Sequence, residues 1–241
     1  MRYNDTQSVG QLFSNMQGVK NIIDENVIKQ PNPPTKEELW KVFKYTFFDM
    51  YGKHFIENAY TIKNIKVLFY YFLNDLEFFN CSNLIKGLNT PSFNKGLLII
   101  GGVGIGKTDY FKVFERVFKF YNPLRFKVYS SKSLVSDYEK CSTPMEKEYF
   151  FSDKERKLLC IDDLGAENNA SNYGIFDVVG NLLSNRYEKK LVTYATANFA
   201  SSSNDVDETL EAMGVRYGHR IYDRLFEMFN VITFSGPSLR T

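Results

Sequence analysis

One stretch decides how this chain folds: Gly101-Gly102-Val103-Gly104-Ile105-Gly106-Lys107-Thr108. It fits the pattern Gly-x-x-x-x-Gly-Lys-Ser/Thr, in which glycines let the backbone curl until its N–H groups point at nucleotide phosphates. Lys107 can then reach the β- and γ-phosphates, and the Thr108 hydroxyl can ligate Mg²⁺. A helix that begins at Gly106 adds the positive end of its dipole, so the stretch predicts a site for a nucleotide and its magnesium ion.

The flanking residues supply the structural context that this loop needs. Gly96–Ile100 is a short apolar run, which is typical of a buried parallel strand. After the loop, apolar residues recur at helical spacing. They are Phe111, Val113, Phe114, Val117 and Phe118. The order strand, glycine loop, helix is the arrangement in which this pattern binds phosphate.

Two carboxylates follow a second apolar strand, at residues 157–165. Ligands of open α/β sheets sit outside the carboxyl ends of the strands, and Asp162 and Asp163 come at that end. Asp162 is expected to hold Mg²⁺, directly or through water, opposite Thr108. Asp163 is placed to orient or deprotonate the attacking water.

A third strand, predicted over Leu191–Asn198, ends in a polar amide at the same sheet edge. Asn198 could hydrogen-bond both the water and the γ-phosphate, which suits a sensor of the nucleotide state. An asparagine at a strand end is more often a simple turn residue, so this interpretation depends on the phosphate loop and the two carboxylates.

The order and spacing of several short motifs, over residues 95–241, resemble those of the AAA+ ATPases of the DnaC/IstB type. These are bacterial and phage helicase loaders and transposition helper ATPases. The matching segments are Gly104–Thr108, Ile161–Glu167, Asn185–Glu188, Thr196–Asn198, Arg220–Leu225 and Phe234–Arg240.

This resemblance implies an α/β fold, namely a P-loop AAA+ core with a parallel sheet sandwiched by helices, preceded by a small helical N-terminal region. It also implies that ATP and Mg²⁺ are the cofactors. Arg224 matches the arginine finger that reaches into the ATP site of a neighbouring subunit, so self-association at that site is expected. Arg220, one helical turn earlier, is the second candidate, although arginines at this spacing are also common on exposed helix faces. Arg240 is a candidate for a late nucleotide-sensing arginine.

The sequence departs from the family pattern in two places. Asp109 and Tyr110 follow the Lys-Thr pair where aliphatic residues are expected. The chain also ends soon after its last predicted strand, which leaves no room for a full lid domain. Intrinsic ATP hydrolysis is therefore expected to be slow or to depend on a partner.

The chain is predicted to divide into residues 1–94, a helical partner-binding region, and residues 95–241, the ATPase core. A polar start with one possible helix over Val19–Ile28 leads to a stiff Pro-rich linker at residues 30–34. Thr35 and Glu38 form the capping-box pattern of a helix that runs to about Tyr51. A second helix is predicted from Ile62 to about Phe79. We interpret its apolar face as part of the hydrophobic core, or alternatively as a surface that binds a partner.

Within the core, residues 124–130 are predicted as a strand, 131–140 as a helix and 143–156 as a polar connection. The resemblance places this connection near bound single-stranded DNA. Basic residues interleaved with aromatic ones could bind such a strand by charge and stacking, but a solvated helix face is the favoured interpretation. The basic residues are Lys112, Arg116, Lys119, Arg125 and Lys127.

Composition indicates a cytoplasmic protein. The net charge of +2 over 241 residues argues neither for nor against nucleic acid. Cys81, Cys141 and Cys160 are odd in number and widely spaced, which is typical of reduced packing thiols in the cytosol. The N-terminus lacks the apolar core of a signal peptide, and the sequence contains no apolar span long enough to predict a membrane helix.

The preferred interpretation is an ATP-hydrolysing protein that loads a replicative DNA helicase onto single-stranded DNA. A transposition helper that activates a transposase is the alternative with the same fold, and residues 1–94 would select the helicase or the transposase. A nucleotide-switched adaptor with little hydrolysis is a further alternative. Phosphoryl transfer to a small molecule fits less well, because the Asp162-Asp163 pair with Asn198 resembles a site for ATP hydrolysis.

Overall fold

A computed structural model of the chain describes residues 34–156, 158–171 and 174–240. Within these ranges, no helix combines the length and the apolar character needed to cross a membrane. The predicted polar start, the possible helix over Val19–Ile28 and all of the Pro-rich segment except Pro34 lie outside the described residues.

Five parallel strands form one sheet in the order β2-β3-β4-β1-β5. Each neighbouring pair is parallel, so all the strands end at the same edge. Residues 83–85 run antiparallel along the outer side of β5, where Leu84 pairs with Ile232. The strands are β1 (Gly96–Gly101), β2 (Phe126–Ser130), β3 (Leu158–Asp162), β4 (Thr193–Ala197) and β5 (Phe229–Phe234).

Helices cover both faces of this sheet, as alternation along β1 shows. Leu97 and Ile99 of β1 pack into an aromatic cluster with the first three helices. Leu98 and Ile100 face the opposite side, where the other five helices lie. The helices are α1 (Lys36–Tyr51), α2 (Ala59–Phe72), α3 (Lys107–Val117), α4 (Ser131–Glu139), α5 (Pro144–Lys154), α6 (Val178–Glu188), α7 (Val206–Tyr217) and α8 (His219–Met228). The α/β fold with a parallel sheet between helices is therefore confirmed.

Helix α1 begins where the capping box predicts. The Thr35 hydroxyl accepts from Glu38 N at 3.3 Å, and a Glu38 carboxylate oxygen accepts from Thr35 N at 2.9 Å. The helix ends at Gly52, whose φ of 66° is left-handed and favours glycine. Its buried face contributes Phe43, which contacts Phe114 of α3 with ring centroids 5.1 Å apart.

Helix α2 differs from the predicted span of Ile62 to about Phe79. It begins earlier because Asn58 caps it, accepting from the N–H groups of Tyr60 and Thr61. It stops at Phe72 because Asn74 adopts a left-handed φ of 51°, and a separate 3₁₀ turn follows at Leu76–Asn80. The core interpretation of its apolar face is confirmed for Ile65, Leu68, Phe69 and Phe72, whereas Leu76 is exposed.

The polar connection predicted over residues 143–156 is wrong, because most of it forms α5. Thr143 and Glu146 form a capping box, and Pro144 occupies the first helical position, where a missing N–H costs nothing. Only Phe150 of this helix is buried, so its weak apolar pattern hid it in the sequence.

Residues 34–241 form one compact unit. Helices α1 and α2 share the aromatic cluster with the sheet and α3. The division of the chain at residues 94 and 95, into a partner-binding region and an ATPase core, stays a prediction about function.

Candidate nucleotide-binding site

The glycine-rich loop lies between β1 and α3, at the edge where the strands end. Gly104 and Gly106 have φ values of 81° and 94°, a backbone conformation that side chains disfavour. A side chain at Gly106 would also meet the Tyr110 ring, 2.7 Å from Cζ. Helix α3 starts directly after Gly106, so its unpaired N–H groups lie at the loop.

The Lys107 ammonium lies inside this loop and is buried. It donates to Gly101 O and Gly102 O, both at 2.7 Å, and to Asn198 Oδ1 at 2.8 Å. Burial lowers the pKa of Lys107 to about 8, while the nearby carboxylates of Asp163 and Asp162 act in the opposite direction. The amine is thus held at the loop, next to two carboxylates.

Thr108 and Asp162 meet, as the sequence predicts for a pair of magnesium ligands. The Thr108 hydroxyl donates to Asp162 Oδ1 at 2.9 Å. The hydroxyl of Thr196, on β4, donates to the same oxygen at 2.6 Å. Burial raises the pKa of Asp162, and these two hydrogen bonds offset part of that rise. A hydroxyl and a carboxylate are oxygen ligands of the kind that Mg²⁺ prefers, so the two side chains fit the ion.

Asp163 and Asn198 also lie together, because β3 and β4 are neighbours in the sheet. The Asn198 amide nitrogen donates to Asp163 Oδ1 at 3.2 Å, while its oxygen accepts from Lys107. Asp163 has a left-handed φ of 56°, which turns the chain out of β3. The Ser131 hydroxyl and the Thr196 hydroxyl hold the Asp163 backbone, through its C=O at 2.7 Å and its N–H at 3.0 Å.

A cleft of about 520 Å³ connects these groups with residues of α1, the segment that follows it and the chain's end. This volume is within the usual range for a small-molecule site, roughly 300–1,000 Å³. The residues of α1 and the following segment that line the cleft are Phe47, Lys53, His54, Phe55 and Ile56.

The segment after β5 crosses the phosphate loop. Leu239 N donates to Gly104 O at 2.8 Å, and the Ser238 side chain lies over Gly104. Arg240 lines the cleft and is exposed, so it lies where a nucleotide-sensing arginine is expected. That role stays a prediction.

A buried carboxylate, Glu167, ties the loop after β3 to α7. Its Oε1 accepts from the Tyr217 hydroxyl at 2.6 Å and from Arg216 at 3.2 Å. Its Oε2 accepts from Gly165 N at 3.0 Å, and that N–H also lies 2.9 Å from the Tyr217 hydroxyl. The role of Glu167 could not be predicted from local sequence, because its partners Arg216 and Tyr217 are about 50 residues further along the chain.

The two candidate finger arginines lie on α8, away from the cleft. Neither Arg220 nor Arg224 is among the described residues that line it. Arg224 donates to Ser184 Oγ at 2.6 Å and to Glu188 at 3.3 Å, and its guanidinium lies 4.5 Å from the Tyr187 ring centroid. Arg220 is exposed. Only 12% of the Arg224 side chain is exposed. A finger role at a neighbouring subunit stays a prediction for both arginines.

Two of the basic residues considered for DNA binding are engaged in ion pairs. Arg116 pairs with Asp49 at 2.5 Å and Lys127 pairs with Glu115 at 2.8 Å. Exposed pairs of this kind hold their partners weakly, at about 0–1 kcal/mol. DNA binding by these residues therefore stays a prediction.

Comparison with solved structures supports the fold. The chain is similar to the crystal structure of the DnaC helicase loader, with a TM-score of 0.50 and 18% identity, over 81% of this chain and 99% of that one. It is also similar to the crystal structure of DnaI, with a TM-score of 0.47 and 21% identity, over 83% and 93% of the two chains. No protein family matches the sequence, and no curated protein matches it. The expected fold, one similar to that of the DnaC helicase loader, is therefore confirmed.

Proposed function

We propose that this protein binds and hydrolyses ATP and uses that cycle to load a replicative DNA helicase onto single-stranded DNA in the cytoplasm. One observation carries the proposal: Lys107, Asn198 and Asp163 form a continuous hydrogen-bonded chain beside the Thr108–Asp162 pair. These are the residue types that bind phosphate, magnesium and an attacking water, gathered at one edge of the sheet.

Each residue would have a separate role that follows from its position in the site. The loop at residues 101–108 would hold the phosphates through backbone N–H groups and Lys107, and Thr108 with Asp162 would hold Mg²⁺. The ion neutralises phosphate charge when bound. Asp163 Oδ1 would accept a proton from water or orient it, and Asn198 positions that carboxylate by its hydrogen bond.

The DnaC-like fold supports the loading role, because the structure it resembles is that of a helicase loader. A transposition helper remains the alternative with the same fold, and the identity of the protein partner would distinguish the two roles. A nucleotide-switched adaptor would share the binding groups but not the turnover.

The loading role is tested with the full chain and the replicative helicase of the same genome. We expect the chain and ATP together to increase helicase unwinding on DNA that carries a single-stranded region coated with single-strand-binding protein. Omission of ATP provides the control. Unchanged unwinding, together with ATP-dependent association with a transposase of the same genome, would favour the transposition role instead.

A finger arginine acts only from a neighbouring subunit, so Arg224→Ala should bind ATP like the parent but lose the turnover stimulated by DNA and partner. Mixing Arg224→Ala with Lys107→Ala should restore part of the activity, because a mixed interface contains one complete site. Phosphate release is the measurement.

One control variant separates this role from a structural one. Ser184→Ala removes the 2.6 Å hydrogen bond to Arg224 while keeping the arginine, and should retain stimulated turnover. If Arg224→Ala hydrolyses ATP at the parental rate with DNA and partner present, Arg224 is a packing residue and Arg220→Ala is the variant to test next.

A further inference from the structure

The cleft contains a buried polar group, close to Gly106 of the phosphate loop, that the proposed phosphate and magnesium chemistry does not use. Tyr110 is 1% exposed and lines the cleft, and its hydroxyl has no hydrogen-bond partner in the part of the chain that the structure describes. Buried hydroxyls in folded proteins are almost always hydrogen-bonded. The Tyr110 hydroxyl therefore lacks the protein partner that its burial requires.

Packing alone does not explain a tyrosine at this position. Its ring contacts the rings of Phe43, Phe55 and Phe234, with centroids 5.7 to 6.3 Å apart. Phe111 and Phe114, on the same helix, are fully buried without a hydroxyl. A phenylalanine at position 110 would keep the ring contacts and avoid the unpaired group.

The position of Tyr110 indicates which part of a ligand the hydroxyl would meet. The ring lies against Gly106, where the phosphate loop joins α3. The ring also contacts Phe55, which lines the cleft together with Phe47 and Ile56. Binding sites for small molecules combine such apolar and aromatic walls with a few polar groups that orient the ligand.

The ionisation state of Tyr110 suits hydrogen bonding. Burial, and to a smaller extent the carboxylate of Asp109, raise the pKa of the phenol above its ordinary value. The hydroxyl therefore remains protonated at neutral pH and can both donate and accept.

We propose that the Tyr110 hydroxyl hydrogen-bonds the nucleoside part of the bound nucleotide, and that Phe47, Phe55 and Ile56 form the apolar wall for its base. This inference rests on the proposed nucleotide binding at the loop. It assigns a specificity role to the residue that departs from the aliphatic pattern expected after the Lys-Thr pair.

The test uses the full chain, the variant Tyr110→Phe, and calorimetric titration with Mg-ATP, Mg-tripolyphosphate and Mg-2′-deoxy-ATP. Loss of one neutral hydrogen bond should weaken ATP binding about three- to tenfold. Tripolyphosphate, which has no nucleoside, should bind the parent and the variant equally. If the hydroxyl bonds the ribose 2′-oxygen, the variant's deficit disappears with 2′-deoxy-ATP; if it bonds the base, the deficit persists.

Two controls accompany this measurement. Tyr51→Phe removes another buried hydroxyl, on α1, which lies near the Asp109 carboxylate and is not among the described residues that line the cleft. It should leave ATP affinity within about twofold. The thermal unfolding midpoint of nucleotide-free Tyr110→Phe should equal or exceed that of the parent, since no protein hydrogen bond is lost.

Equal ATP affinity in Tyr110→Phe and the parent would overturn the inference while leaving nucleotide binding intact. An equal loss for tripolyphosphate and ATP would also overturn it, since the hydroxyl would then serve the phosphates. A parent protein that binds neither ligand would instead refute the proposed function, and with it this inference.

Discussion

Replacing Lys107 by alanine is expected to weaken Mg-ATP binding roughly 10- to 100-fold, because hydrogen bonds to a charged group contribute about 1.5–3 kcal/mol. The ammonium is buried among two loop carbonyls and Asn198, so it already lies where phosphate would arrive. Its removal also deletes a positive charge that interacts with Asp163 and Asp162, which further disfavours an anionic ligand. Calorimetric titration with Mg-ATP measures the effect.

Lys112→Ala is the matched control for this variant. Lys112 lines the same cleft but is exposed, so the loss of its charge should change ATP affinity by no more than about fivefold. Circular dichroism checks that Lys107→Ala stays folded, since the lost hydrogen bonds also support the loop. Parental affinity in a folded Lys107→Ala protein would remove the basis for the nucleotide site.

Asp163→Asn is expected to bind ATP normally and to lose turnover by roughly 10²–10⁴-fold, the usual cost of losing a general base or a water-positioning group. Asparagine tolerates the left-handed backbone at this position, where φ is 56°, and it keeps an oxygen that can accept from Asn198. The variant therefore changes the charge while keeping the shape. Steady-state phosphate release and ATP titration are measured on the same preparation.

Variants of two further aspartates distinguish the role of Asp163 from the roles of the neighbouring carboxylates. Asp109→Asn changes a carboxylate that lines the cleft on α3 and should keep most of the turnover. Asp162→Asn should lose the magnesium dependence of ATP binding as well as turnover, because Asp162 contacts Thr108. If Asp163→Asn releases phosphate at the parental rate, the carboxylate has no part in hydrolysis.

The predictable part of this site follows from the geometry of parallel strands. Thr108, Asp162 and Asn198 are far apart in the sequence, yet each comes at or just beyond a strand or loop end at one sheet edge. Apolar runs are enough to place such residues. The proximity of these three residues could therefore be predicted without knowledge of side-chain packing.

The parts that sequence did not reveal depend on contacts between distant side chains. Thr196 lies within a recognised motif, but its bond to Asp162 depends on how β3 and β4 align. Helix α5 has only one buried residue, so periodicity could not indicate it. The early end of α2 depends on the left-handed backbone of Asn74, which a polar residue permits but does not require.

The Glu167 linkage has a consequence for how the protein responds to salt. The Glu167 side chain is 0% exposed, and dissolved ions screen a buried charge far less than an exposed one. Salt concentrations that break exposed ion pairs such as Arg116–Asp49 should therefore leave the contact between the Asp163 loop and α7 intact. Helices α7 and α8 are also in close contact, since a side chain at Gly214 would meet Tyr222 at 3.1 Å. The loop that carries Asp163 and the helix that carries Arg224 are thus joined through α7 by contacts that include a buried carboxylate.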